Sequence, residues 1–125
     1  MPGNKQLGIE AKHVDMIKYG INAINNMPKK ERVLADMLRE KMYRAWDLIG
    51  QQQWSHDRLR ILYELDNQIG GLKRLVRLAN DLGLLRGRPD EDGKSKPYYI
   101  WSAMLVEEGK IIGAMISTTK KAVKG

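Results

Sequence analysis

The stretch that decides the fold is Leu62-Tyr63-Glu64-Leu65-Asp66-Asn67-Gln68-Ile69-Gly70-Gly71-Leu72-Lys73-Arg74-Leu75-Val76-Arg77-Leu78-Ala79. Leu62, Leu65, Ile69, Leu72, Val76 and Ala79 recur in alternating steps of three and four, the spacing of a coiled-coil-like seam, with Leu75 and Leu82 beside it. Ser55 is placed to cap this helix, and Asp57 falls in its first turn, against the positive end of the helix dipole. Gly83 sits where a left-handed residue would close the helix, and Leu84 and Leu85 can fold back on its last turn.

Working outward, the same periodicity predicts three more helices. Ahead of it, a segment from about Lys30 to Gln53 presents Val33, Leu34, Met37, Leu38, Met42, Ala45, Trp46 and Ile49 inward. Before that, Ile9 to Asn26 carries Val14, Ile17, Ile21 and Ile24, widened by Met16, Ala23 and Met27, and is stopped at Pro28. Beyond the central helix, residues 86–97 mix glycine, proline and charge, and read as a mobile loop. Tyr98 to Thr119 then presents Trp101, Met104, Leu105, Ile111, Ile112, Met115 and Ile116. No stretch alternates as a half-buried strand does. The expectation is one all-α domain over residues 1–125, an antiparallel up-down-up-down four-helix bundle, with residues 1–8 and 120–125 flexible.

The chain has 125 residues, 22 Lys plus Arg against 15 Asp plus Glu, a net charge of +7 and a pI near 9.7. That excess favours nucleic acid, an anionic membrane or an acidic protein as partner. The absence of cysteine excludes disulfides, thiolate nucleophiles and sulfur-ligated metals. No window approaches the roughly 18 apolar residues of a membrane span, so a cytoplasmic protein without a membrane role is expected.

Material for catalysis is thin, and neither an enzyme nor a cofactor is expected. Glu10-Ala11-Lys12-His13 spells the Glu-x-x-His pair of carboxylate-bridged di-iron bundles, but no second copy exists, and a solvated first-turn pair is the plainer reading. Ser55, His56 and Asp57 are neighbours at a helix start and cannot face one another as a relay must. Trp46 and Trp101 fall on apolar stripes and Tyr63 lies near one, favouring packing over base stacking. Trp54, Tyr98 and Tyr99 sit at helix starts or breaks, where a partner can touch them. Gly109 and Gly113, one turn apart, would let another helix approach closely or are simply tolerated on a surface.

The basic residues carry the functional reading. Lys73 and Arg77 lie one turn apart on the central helix with Arg74 adjacent. Arg58 and Arg60 precede them, Arg86 and Arg88 follow, and Lys110, Lys120, Lys121 and Lys124 add a second cluster. A solvated face is the ordinary explanation of such a pattern, but balanced decoration would not leave so large an excess. Phosphate contacts by such groups give salt-dependent affinity without sequence readout.

Leu72-Lys73-Arg74-Leu75-Val76-Arg77-Leu78-Ala79-Asn80-Asp81-Leu82-Gly83-Leu84-Leu85, followed by Glu107-Glu108-Gly109-Lys110-Ile111-Ile112-Gly113-Ala114-Met115-Ile116, resembles the accessory variability determinant (Avd) proteins of diversity-generating retroelements. These stand with the four-helix proteins encoded in intervening sequences of bacterial 23S ribosomal RNA genes. The resemblance implies a homopentamer of basic protomers that associates with a reverse transcriptase and with RNA or DNA in mutagenic retrohoming. It matches Lys73 and Arg77 to the family's basic positions, and Gly109, Lys110 and Gly113 to its Gly-basic-x-x-Gly. Glu108 stands where the family usually has an aliphatic residue and Met115 where it often has tryptophan, and the 86–97 loop is longer than usual. The alternative is a ribosomal-intervening-sequence type of bundle acting as a structural or protein-interaction module.

Overall fold

The computed structural model describes residues 4–87 and 90–124, and of Asn4, Lys5, Leu7, Val123 and Lys124 the backbone alone. Four helices account for the expected segments: α1 (Asn4–Asn25), α2 (Arg32–Gln51), α3 (Arg58–Asp81) and α4 (Lys96–Lys124). Each helix packs on two neighbours, α1 on α2 and α4, α3 on α2 and α4, and the diagonal pairs do not meet. Contacts that run in opposite senses along the chain make every neighbouring pair antiparallel. Arg44 reaches Glu64 while Lys41 lies over Gly71, and Lys73 lies over Gly109 while Lys120 covers Tyr63. The fold is the up-down-up-down bundle that the four apolar stripes require.

The α3 seam is the heart of the core: Leu62, Leu65, Ile69, Leu72, Val76 and Ala79 are all buried. They pack with Leu38, Met42, Leu48 and Ile49 of α2 and with Trp101, Leu105, Ile112 and Met115 of α4. On α1, Gly20 admits the largest of these side chains, for a Cβ there would stand 2.7 Å from Met42 Sδ and 2.9 Å from the Trp101 ring. Trp101 is fully buried and its indole N–H points at Met16 Sδ, 3.4 Å away. The α3 terminus forms the expected cap: Gly83 has φ +71, its N–H donates to Asn80 O at 2.9 Å, and the Leu84 N–H donates to Ala79 O at 2.9 Å. Leu84 and Leu85 are buried against that turn.

Periodicity misplaces some boundaries and some side chains. The start of α1 lies ahead of Ile9 because Gln6, which adds nothing to an apolar stripe, is buried and donates to Ile49 O at 3.5 Å. Ser95 is the cap of α4, its Oγ accepting from the Tyr98 N–H at 3.4 Å, so that helix begins at Lys96 with Pro97 in the first turn. Ser55 does not cap α3; its Oγ accepts from the Asp57 N–H at 3.0 Å in the turn before, and Asp57 pairs with Arg60. Val33 (76% exposed), Met37 and Trp46 stand outside the core they were expected to join. An α2 that meets only two neighbours buries a narrower arc than its apolar residues span.

The connection between α3 and α4 is cross-braced over its described second half. Asp90 accepts from the N–H groups of Asp92 (2.9 Å) and Lys94 (3.0 Å) and from the Tyr99 hydroxyl. Asn80 donates to Gly93 O at 3.2 Å and accepts from the Ser95 N–H at 3.2 Å. The Tyr99 hydrogen bond, with the Lys94 amide, holds the Asp90 carboxyl below its ordinary range, and the same bond pushes the Tyr99 hydroxyl up to about 12.

Candidate functional site

The basic residues divide according to what holds them. On the first half of α3, Arg58 donates through Nε to the buried Gln52 (2.8 Å), and Arg60 pairs with Asp57 (2.8 Å) and Glu64 (3.8 Å). After α3, Arg86 donates to Asn26 O at 2.6 Å and ties that segment to the α1–α2 connection. These three arginines are engaged by their own fold. Arg88 lies outside the described residues, and the Lys124 side chain is likewise outside them.

Of the remainder, Lys73 and Lys120 reach across between α3 and α4. Lys73 is half-buried and lays its ammonium over α4, 3.3 Å from where a Cβ on Gly109 would stand. Arg74, Lys110 and Lys121 are exposed and form no ion pair within 4 Å among the described residues, though, after the hydrogen bond from Lys12, Lys110 helps to hold the Glu107 carboxyl below its ordinary range. Arg77 is 76% exposed and only 3.9 Å from Asp81. Lys120 sits 5.5 Å from the centre of the exposed Tyr63 ring, a cation–π contact across the two helices. Lys73 and Lys120 each meet the neighbouring helix, Arg74 and Arg77 stand on α3 and Lys110 and Lys121 on α4, and Arg58, Arg60 and Arg86 hold contacts within the fold. The two glycines of α4 receive no helix backbone: Gly109 is covered only by Lys73, and a Cβ on Gly113 would meet open space.

Periodicity gave no attention to a second polar feature, in the core. His13 is fully buried, not a solvated first-turn residue, while Glu10 stays at the surface. The His13 Nδ1 lies 2.5 Å from Glu108 Oε1 on α4, and Nε2 lies 2.8 Å from Met42 O on α2. A carbonyl only accepts, so Nε2–H is the donor to Met42, and one proton is shared between Nδ1 and the carboxyl. Glu108 is also fully buried, and its Oε2 has no hydrogen-bond partner. This pairing gives the carboxyl on the apolar stripe of α4 a partner. The signal was present in the sequence, because His13 continues the Ile9–Met16 stripe and Glu108 the Leu105–Ile112 stripe, and a carboxyl on an apolar stripe demands a partner. A third feature, an open groove beside Trp46 and Trp54, lies at the far end of α2.

Among the described residues, no three side chains of His, Cys, Asp or Glu gather as a metal site, and no helix is long and apolar enough to cross a membrane. No curated protein and no solved structure matches the chain. The four-helix arrangement, the basic residues of α3 and α4 and the glycine pair on α4 coincide with a match to one family model, described as bAvd-like, from residue 7 to residue 119. The match spans all four helices and nearly the whole chain, and the chain therefore belongs to the bAvd-like family.

Proposed function

We propose that this chain is a non-enzymatic accessory protein of a diversity-generating retroelement, which holds RNA or DNA and a reverse transcriptase in the cytoplasm during mutagenic retrohoming. The observation that carries this reading is a set of cations on α3 and α4, Lys73, Arg74, Lys110 and Lys121, that form no ion pair within 4 Å among the described residues, beside Arg77 and Lys120. Phosphate oxygens are the ligands such cations satisfy. Binding is then tolerant of sequence and strongly dependent on salt.

Assembly into a homopentamer is part of the proposal. Its support is an exposed apolar edge: Leu78 and Leu82 follow Gly71 by two and three turns of α3, and Met37 and Val33 precede Lys41 by one and two turns of the antiparallel α2. The register that sets Lys41 on Gly71 sets Val33 level with Leu78, with Met37 about a turn to one side of them and Leu82 about a turn to the other. A bundle acting only through proteins would use this edge and leave the cations idle.

The test is elution with light scattering of nuclease-treated protein, followed by titration of labelled RNA at low and high salt. Wild type is expected to elute as an oligomer and to lose affinity steeply as salt rises, and Lys73→Glu/Arg77→Glu to weaken binding about a hundredfold at low salt. A monomer indifferent to RNA, or an affinity unmoved by the double substitution, overturns the reading. Oligomers that elute free of nucleic acid and do not bind it point to the protein-interaction alternative.

A further inference from the structure

Trp46, Trp54, Glu10, Asp47, Gly50, Gln51 and Gln53 line an open groove at the end of α2 against α1. Two tryptophans face solvent there, at 43% and 79% exposure. One is a fixed platform: the Trp46 ring lies nearly parallel to the buried His13 ring, at 11° and 6.3 Å between centres. Its inner face is thus occupied and its outer face open. Trp54 stands in the connection from α2 to α3; its backbone N–H donates to Gln51 O at 3.2 Å, and its indole makes no hydrogen bond or ring contact among the described residues. Gly50 lines the groove without a side chain, and a Cβ there would meet nothing within 4 Å.

Charge names the occupant. Among the described residues the groove is lined by two carboxylates and by no Lys or Arg, on a chain whose net charge is +7. Glu10 has no ion pair; Asp47 is shared at its rim with Gln51 (2.8 Å) and Arg44 (3.3 Å). Aromatic faces flanked by carboxylates attract a guanidinium or ammonium and repel phosphate. A polyanion therefore finds its surface among the cations of α3 and α4, which lie diagonally across the bundle because α1 does not meet α3 nor α2 α4.

We propose that this groove is a docking site for an arginine- or lysine-bearing segment of a partner protein, with the cationic side chain stacked on Trp46 and Trp54 and paired with Glu10 and Asp47. The site does not depend on the nucleic-acid reading, and both surfaces can be occupied together. On a protein of net positive charge, attraction of a cationic peptide has to be local, so nonspecific binding works against a false positive.

The experiment uses the full chain with its indole groups labelled with 15N, which gives three N–H signals. A short peptide alternating glycine and arginine is titrated in, beside the same peptide with citrulline or lysine for arginine. The Trp46 and Trp54 signals are expected to move with the arginine peptide and, more weakly, with lysine, while buried Trp101 stays in place as an internal check on the fold. Trp54→Ala, and separately Glu10→Gln/Asp47→Asn, are expected to weaken binding about tenfold. Equal binding of the citrulline peptide, groove signals that do not move, or unchanged affinity in the variants overturns the proposal. So do groove signals that move with protein concentration alone, which assigns the groove to a second copy, or with RNA alone, which assigns it to bases.

Discussion

The buried pair of His13 and Glu108 and the surface cations Lys73, Arg74 and Lys110 use similar chemistry to opposite ends. In the core, both side chains are fully enclosed and each depends on the other, with Met42 O taking the second imidazole N–H. Among the surface cations, Arg74 and Lys110 are exposed, and Lys73 is half-buried over Gly109. Loss of a partner inside a low-dielectric core leaves a polar group without water, whereas loss of a charge outside leaves only a differently hydrated surface. On the proposed function, stability and binding are separable in this protein: the buried pair bears on the first and the surface cations on the second.

The largest effect should come from breaking the pair. His13→Leu strands the Glu108 carboxyl, and urea unfolding should show a loss of about 3–5 kcal/mol. Glu108→Leu leaves a neutral imidazole that keeps its Met42 bond, so the loss should be smaller, about 1–3 kcal/mol. The double variant His13→Leu/Glu108→Leu should recover most of that loss, since an apolar core tolerates a replaced pair better than a broken one. Additive losses in the double variant would show that the two side chains do not act as a pair.

Among the surface cations, Arg74→Ala/Lys110→Ala should leave unfolding within about 0.5 kcal/mol of wild type. The same variant should lower the salt slope of RNA binding by about 1.4, the figure for two contacts to a single strand. Arg60→Ala, whose guanidinium already serves Asp57 and Glu64, should barely change that slope. An Arg60 effect as large as that of the double variant would dissolve the division between free and engaged cations.

Next to the core pair, Gly20→Ala should cost about 1–3 kcal/mol through crowding of Met42 and Trp101, despite the better helix propensity of alanine. A neutral result would show that the Trp101 layer can give way. The smallest effect concerns the α3–α4 connection. Asp90 has a depressed folded pKa, so its bracing is present above the ordinary carboxyl pKa and is lost as pH falls through the lower folded value. Amide exchange at Asp92 and Lys94 should stay slow at neutral pH and quicken only in that acid range, and Asp90→Asn should remove the pH dependence.

How much was legible beforehand follows from the kind of signal each residue gives. The α3 seam and its glycine cap are local patterns, and local patterns survive without tertiary knowledge. The ends of α1 and α4 were not legible, because Gln6 and Ser95 are fixed by groups in other segments, Ile49 and Asn80. Trp46 looked like core because it continues an apolar stripe, yet which edge of that stripe faces a neighbour depends on where α1 and α3 are. Among the basic residues, the sequence distinguishes charge but not partnership, and Arg58, Arg60 and Arg86 are indistinguishable from Lys73 and Arg74 until their acceptors are placed.

What the sequence by itself determined is the all-α class, the four helices, their order and the positive excess, since all of these are sums or periodicities along the chain. Only the tertiary structure decided that His13 meets Glu108 across 95 residues, that Gly20 makes room for Trp101, and that two tryptophans and two carboxylates share one groove. The physical reason is the same in each case. Burial, pairing and shape are properties of two or more segments brought together, and their free energy arises only when water is removed from between them.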